Sequence, residues 1–267
     1  MPDTLTEQQW SDYQRDGYVH LGRTLTDTEL ADLQRRIDDI MLGQARARYD
    51  QLLMQLDSAD GDYANAPEQS RGHKGATLGY RKIQDLENDP LFLAYIQKPL
   101  FRDICARVHG PDTDISIFRA MFMNKPANKG TFLPWHQDRW SALDRDPEIT
   151  VWTALDPATV ANGCVQVIPG SHKLGLVNPE HSSGFLNDEH VDRHVQPDRI
   201  VHLELEPGQA MLMHNWLLHA SDVNRSGVAR RAFSVCYMPA ATRDTRRDAT
   251  FPVVFGQNAL SPDTLEV

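Results

Sequence analysis

Near residue 110 the hydrophobic periodicity of this chain changes, and that change limits the folds open to it. Upstream, apolar residues recur at helical spacing. Leu30, Leu33, Ile37 and Ile40-Met41 form one stripe behind Thr26, a natural capping residue, which predicts a helix from 26 to about 42. A shorter helix is expected over 6–16 with Thr6 as its cap, and two more over 91–96 and 100–108, separated by Pro99 and ending at Gly110-Pro111. Downstream, short runs punctuated by turn residues predict strands near 115–124, 148–155, 164–168, 200–204, 209–214 and 231–238. Strands this short and this numerous bury their faces by closing into a barrel or a double antiparallel sheet, so a mainly β fold with flanking helices, such as a jelly roll, is expected. A β domain of 267 residues commonly stays single. We therefore expect one domain over 1–267: helical support and a loop in 1–110, a jelly-roll core in 111–240 and a carboxy-terminal extension in 241–267.

Charge and cysteine content narrow the function. A formal charge of −10 disfavours nucleic acid or an anionic membrane as partner and leaves a small molecule as the expected ligand. Cys105, Cys164 and Cys236 are too few and too widely spaced for a disulfide framework or a cysteine zinc site, and read as small buried hydrophobes. No apolar run has the length of a membrane span, and the opening Met1-Pro2-Asp3-Thr4-Leu5-Thr6-Glu7 lacks signal-peptide character, so a cytoplasmic protein is expected.

The pair His136-Gln137-Asp138 carries the chemistry. Two imidazoles and one carboxylate on one face leave positions open on a non-heme Fe(II) for a cosubstrate and O2. His219 is the leading candidate for the second imidazole, with His214 as its rival. Spacing alone proves little, because His190-Val191-Asp192 repeats the pattern in a run of charged residues that reads as a solvated loop or short surface helix. The first copy follows an alternating apolar stretch, the setting in which ligands stand on a rigid sheet.

An ordered series of motifs resembles the phytanoyl-CoA dioxygenase family over about residues 80–240. It comprises Lys82-Ile83-Gln84-Asp85, Met121-Phe122-Met123-Asn124-Lys125-Pro126, Trp135-His136-Gln137-Asp138, Trp152-Thr153-Ala154-Leu155, Asn162-Gly163-Cys164, Ile168-Pro169-Gly170-Ser171-His172 and His219-Ala220-Ser221. The resemblance implies a double-stranded β-helix, a cupin-like jelly roll with the His136, Asp138 and His219 triad inside the barrel mouth. It also implies an Fe(II)- and 2-oxoglutarate-dependent dioxygenase that uses O2 to hydroxylate a C–H bond of a small metabolite, releasing succinate and CO2. Arg230 matches the arginine that pairs with the far carboxylate of 2-oxoglutarate, and Ser221 a hydroxyl that helps hold it. Trp152, Met121 and Lys82 match positions lining the cosubstrate pocket.

Strand alternation supports Arg230 over its neighbour Arg231. Arg230 shares a face with Ala232, Ser234 and Cys236, which leaves room for a diacid, whereas Arg231 shares one with Phe233, Val235 and Tyr237. Halogenases of this superfamily carry a small residue where Asp138 stands, so its retention favours hydroxylation, with desaturation or ring formation by the same oxidant left open. Substrate selection is expected from the 56–79 loop, with Tyr63 and His73, from Arg139 and Trp140 just past the triad aspartate, and from the 173–195 insert as a lid. Other classes stay open: an acyl-CoA hydroxylase, a cupin-like metalloenzyme without 2-oxoglutarate, or a noncatalytic jelly-roll binding protein.

Overall fold

The expected helices form, each for a local reason. In the computed structural model, which describes residues 3–265, α1 (Glu7–Asp16) and α2 (Asp27–Leu42) both begin at a capping box. The Thr6 hydroxyl accepts from the Gln9 amide and the Thr26 hydroxyl from the Glu29 amide, while the side chains of Gln9 and Glu29 reach back. Gly17 and Gly43 end these helices in the left-handed region. Helices α3 (Pro90–Ile96) and α4 (Pro99–His109) each start on a proline, whose missing N–H is harmless in a first turn.

Thirteen strands follow one another as β1 (Tyr18–Arg23), β2 (Leu53–Leu56), β3 (Ser70–Arg71), β4 (Tyr80–Gln84), β5 (Ile115–Lys125), β6 (Leu133–His136), β7 (Ile149–Ala154), β8 (Val165–Val167), β9 (Val201–Leu203), β10 (Gln209–His214), β11 (His219–Ser221), β12 (Arg230–Pro239) and β13 (Val253–Phe255). They build a nine-stranded sheet of order β1-β10-β7-β12-β5-β4-β2-β3, with β13 also on β5, and a four-stranded sheet of order β6-β11-β8-β9. From β5 to β12 successive strands alternate between the two sheets except at β8 and β9, which pair with each other in the small sheet, and every pairing is antiparallel, which is the double-stranded β-helix.

The first 110 residues hold more β structure than expected. β1 to β4 extend the large sheet on both sides of the jelly-roll strands, and β13 places part of the carboxy-terminal extension on β5. The short helix α5 (Asp188–His194) covers the second His-x-Asp pair and buries no residue, as a charged surface helix should. Among the described residues no helix is long and apolar enough to cross a membrane.

The large sheet is two-faced, and this positions the site. Phe233, Val235 and Tyr237 of β12, with Ala120 and Phe122 of β5 and Val151 of β7, pack beneath α2, α3 and α4 in the main core. The opposite face turns Met211, Met213, Trp152 and Ala232 toward the small sheet and its Val165, Val167 and Leu203. All three cysteines are buried and free. Phe233 ties helix to sheet, its ring 4.8 Å from Phe92 and 6.0 Å from Tyr95. Phe233→Ala is expected to cost about 3–5 kcal/mol of stability through the cavity it leaves, read as a lower urea midpoint at unchanged slope.

Candidate metal centre and its cavity

Strand register brings the two histidines together. β6 and β11 pair so that His136 stands directly opposite His219, with ring centroids 4.0 Å apart. Asp138 follows β6 by two residues, held where its amide donates to the Asn215 carbonyl at 2.7 Å. Its carboxylate lies 3.8 Å from His136 Nε2 and 3.9 Å from His219 Nε2. One donor atom from each of the three residues lies within 4.8 Å of the others, and among the described residues no other histidine, cysteine or carboxylate trio does this. The His190-Asp192 pair is thereby set aside. His214 points elsewhere, accepting at Nδ1 from the Trp216 amide and packing against His172 and Tyr13.

Backbone carbonyls fix the tautomer of both rings. His136 Nδ1 is 2.9 Å from the Pro134 carbonyl and His219 Nδ1 is 2.9 Å from the Leu217 carbonyl. A carbonyl only accepts, so each Nδ1 carries the proton and each Nε2 presents a lone pair to the shared space. Burial and the neighbouring His219 hold the His136 pKa well below the ordinary histidine value, which keeps that ring neutral. Two imidazoles and a carboxylate, prealigned, fit a divalent iron ion.

The triad opens on a cavity of about 280 Å3. Its lining includes Lys82, Met121, Trp152, Ser221 and Arg230, the positions implied to hold a cosubstrate, together with Tyr63 and Trp140. Arg230 is buried at 4% exposure, and its guanidinium lies over the Trp152 ring at 5.4 Å. Its Nε and the Trp152 Nε1 are both buried donors without a partner. Desolvation lowers the Arg230 pKa to about 10, so the group stays cationic at neutral pH, and among the described residues no carboxylate forms an ion pair with it, Asp156 acting only at longer range. Such an unpaired cation fits an incoming carboxylate, as the far end of 2-oxoglutarate would supply. Arg231 lies on the other face, where Asp156 grips it through two hydrogen bonds of 2.8 Å and Asp38 adds a third.

Two expected substrate contacts are displaced. Arg139 does not line the cavity; its Nη1 donates to the carbonyls of Pro179 and His181, fastening the insert from outside. His73, within the 56–79 loop, does not line the cavity; it is bonded to the Met41 carbonyl and packed between Tyr49 and Tyr80. That loop does reach the cavity through Tyr63, whose ring meets Phe185 of the insert at 5.3 Å. Phe185 in turn stacks on His136 at 4.9 Å and 16°. The loop and the insert thus meet above one metal-ligand candidate.

Gln137 is the organising residue that the sequence did not announce. It is fully buried, donating from Nε2 to the Gly175 and Trp216 carbonyls and accepting at Oε1 from the Val177 amide. Its own amide donates to the Gly184 carbonyl. Gly184 has φ +71°, and a β-carbon there would stand 2.2 Å from the Gln137 carbonyl oxygen, so only glycine lets the insert lie this close. Gln137→Leu is expected to lower stability by about 2–4 kcal/mol in chemical denaturation. It should also speed limited proteolysis within 175–186, and unchanged protection there would show that Gln137 does not fasten the insert.

The family model for phytanoyl-CoA dioxygenase (PhyH) matches residues 13–232. A probable phytanoyl-CoA dioxygenase of Caenorhabditis elegans is 29% identical over 245 residues, covering 87% of this chain and 75% of that one. The peroxisomal phytanoyl-CoA dioxygenase of Homo sapiens is 24% identical over 248 residues, covering 90% and 70%. In fold, iron-bound EctD from S. alaskensis is similar with a TM-score of 0.67 at 21% identity, over 91% of this chain and 80% of that one. The carbocyclase SnoK from nogalamycin biosynthesis, titled as non-heme and α-ketoglutarate-dependent, reaches 0.66 at 19% identity over 95% of each chain. With its matching motifs in order along a double-stranded β-helix, the chain belongs to the phytanoyl-CoA dioxygenase family of Fe(II)- and 2-oxoglutarate-dependent oxygenases.

Proposed function

We propose that His136, Asp138 and His219 hold Fe(II), that Arg230 with Ser221 anchors the distal carboxylate of 2-oxoglutarate, and that the enzyme hydroxylates a small metabolite. The observation that carries this reading is the unpaired Arg230 guanidinium in the cavity onto which the triad opens. Iron with 2-oxoglutarate and O2 supplies the oxidant for C–H hydroxylation, releasing succinate and CO2.

The chain's own residues have separable tasks. The Pro134 and Leu217 carbonyls orient the two imidazoles, so no rotamer search precedes metal binding. Arg230 offers a fork to a carboxylate, and the Trp152 ring beneath it holds the fork in place while Nε1 stays free to donate. Met121 contributes an apolar wall. Phe185 and Tyr63 close over His136 and keep bulk water from the reacting centre. The relatives named above are phytanoyl-CoA dioxygenases, but a cavity of about 280 Å3 lies just below the usual range of small-ligand pockets, roughly 300–1,000 Å3, which supports a small substrate.

Under anaerobic conditions the protein with Fe(II) and 2-oxoglutarate is expected to develop a visible charge-transfer band. Arg230→Ala should weaken 2-oxoglutarate binding by at least about tenfold, since a charge-assisted bond is worth about 1.5–3 kcal/mol. Equal affinity in that variant would remove the assignment of Arg230. His136→Ala and Asp138→Ala should each lower Fe(II) affinity in equilibrium dialysis by more than about 100-fold with an unchanged far-ultraviolet spectrum, because each deletes a ligand from a preformed scaffold. Retained iron binding would relocate the centre.

A further inference from the structure

We propose that Arg119 is a specificity-determining residue and that the substrate carries an oxyanion, a carboxylate or a phosphorus oxyanion, which Arg119 binds. The proposal rests on the iron and 2-oxoglutarate reading above, and adds the chemical class of the substrate to it.

Arg119 is a second guanidinium in the cavity, separate from Arg230. β5 pairs with β12 so that Lys125 faces Arg230 while Arg119 faces Cys236, at the far end of the same inward-facing row. Six residues of strand separate the two ends, about 20 Å along the backbone. The charges felt at each end also differ. Arg230 and Lys125 act on one another, whereas Asp138 is the foremost charged neighbour of Arg119. The cavity is therefore bipolar, with the triad's carboxylate toward the Arg119 end.

Arg119 is held for recognition and has nothing to recognise within the chain. Its guanidinium lies 4.7 Å from the Trp140 ring centre and 5.0 Å from that of Phe118, and these two rings pack together at 4.5 Å. The aromatic pair fixes the fork's position without occupying its N–H donors in hydrogen bonds. Arg119 makes neither a hydrogen bond nor an ion pair among the described residues, and it lines the cavity. Asp138 and, more weakly, Asp85 supply compensating charge without forming an ion pair; Asp85 is itself paired with Arg71, and Asp138 is the carboxylate proposed to bind the metal. Once that charge is directed to iron, the half-buried Arg119 faces the open cavity with no protein partner for its donors among the described residues. Oxyanions match the guanidinium geometry, whereas a neutral substrate that displaced water from the cavity would offer the cation no opposite charge.

The test uses the full-length protein, anaerobic, with Fe(II) and saturating 2-oxoglutarate, so that the Arg230 end is filled. Propionate, methylphosphonate and the neutral isostere propionamide are titrated by calorimetry. We expect at least one anion to bind about tenfold or more tighter than the amide, and Arg119→Gln to erase that preference while 2-oxoglutarate affinity stays as in the wild type. Whichever of the two anions binds tighter identifies the oxyanion. Equal binding of anion and amide, no anion binding, or an unchanged preference in Arg119→Gln would overturn the proposal. A loss of 2-oxoglutarate affinity in Arg119→Gln would overturn it too, since Arg119 would then serve the cosubstrate. If Arg119→Gln does not fold, Arg119→Lys decides: it should keep tighter anion binding while weakening it through loss of the planar fork, and an unaltered affinity would count against the assignment. Failure of the wild type to bind 2-oxoglutarate at all would instead sink the underlying oxygenase reading.

Discussion

The two-faced large sheet is the constraint on which everything else rests. Along β12 the residues Phe233, Val235 and Tyr237 sink into the helical layer while Arg230, Ala232 and Ser234 face the barrel, and β5 alternates in step with it. A slip of one residue would drive Arg231 and Phe233 into the cavity and leave Arg230 under α2. The apolar core thus acts as the register lock for the polar site. Each aromatic ring buried beneath the helices makes the slipped arrangement more costly, and so holds the cavity residues in place.

The cavity itself is locally at odds with the chain. An acidic protein places Arg81, Lys82, Arg119, Lys125 and Arg230 around one cavity with Asp138 as the carboxylate among them. Burial drives the pKa of Lys82 and Lys125 well down, which relieves part of the repulsion, and Lys125 is further occupied by the Thr131 carbonyl. The guanidinium groups do not deprotonate so readily and must find partners. Arg81 has Gln55 and the face of Tyr63. Arg119 and Arg230 have only aromatic faces, a partial answer to a full charge. Native proteins tolerate such groups where function uses them, and the stability sacrificed here is returned when an anion binds.

Much of the frame was legible from the amino-acid sequence, because periodicity and capping are local signals. Thr6 and Thr26 mark helix starts by their spacing from Gln9 and Glu29, and the alternation in β12 separates Arg230 from Arg231 without any structure. The misses have a common cause. β2, β3 and β4 take shape by pairing along the edge of a sheet already begun by β5, and β6 and β11 are too short to show a period of two. Arg119 was readable in principle, since counting back by twos from Lys125 through Met123 and Met121 reaches it. Gln137 and Phe185 gave no such signal, because their roles come from an insert that folds back across the chain. Arg139 and His73 misled for the same reason: nearness in sequence to a ligand or to a loop does not decide which way a side chain turns.

That folded-back insert joins recognition to metal binding through a shared backbone. Gln137 lies between two triad residues and holds Gly175, Val177 and Gly184, while Phe185, next to Gly184, stacks on the ring of His136. The segment proposed to shape the substrate space is thus bonded to the strand that carries the proposed iron ligands. Movement of the insert cannot be purely local: shifting Phe185 changes the packing on His136, and shifting Gly184 pulls on the amide between His136 and Asp138. Because a metal ligand set tolerates little displacement, the insert is constrained at its anchors, and the 180–183 turn, whose backbone Arg139 also holds at His181, can change in side chains without moving them. Sequence change at that turn can therefore alter what enters the cavity while the centre it serves stays fixed.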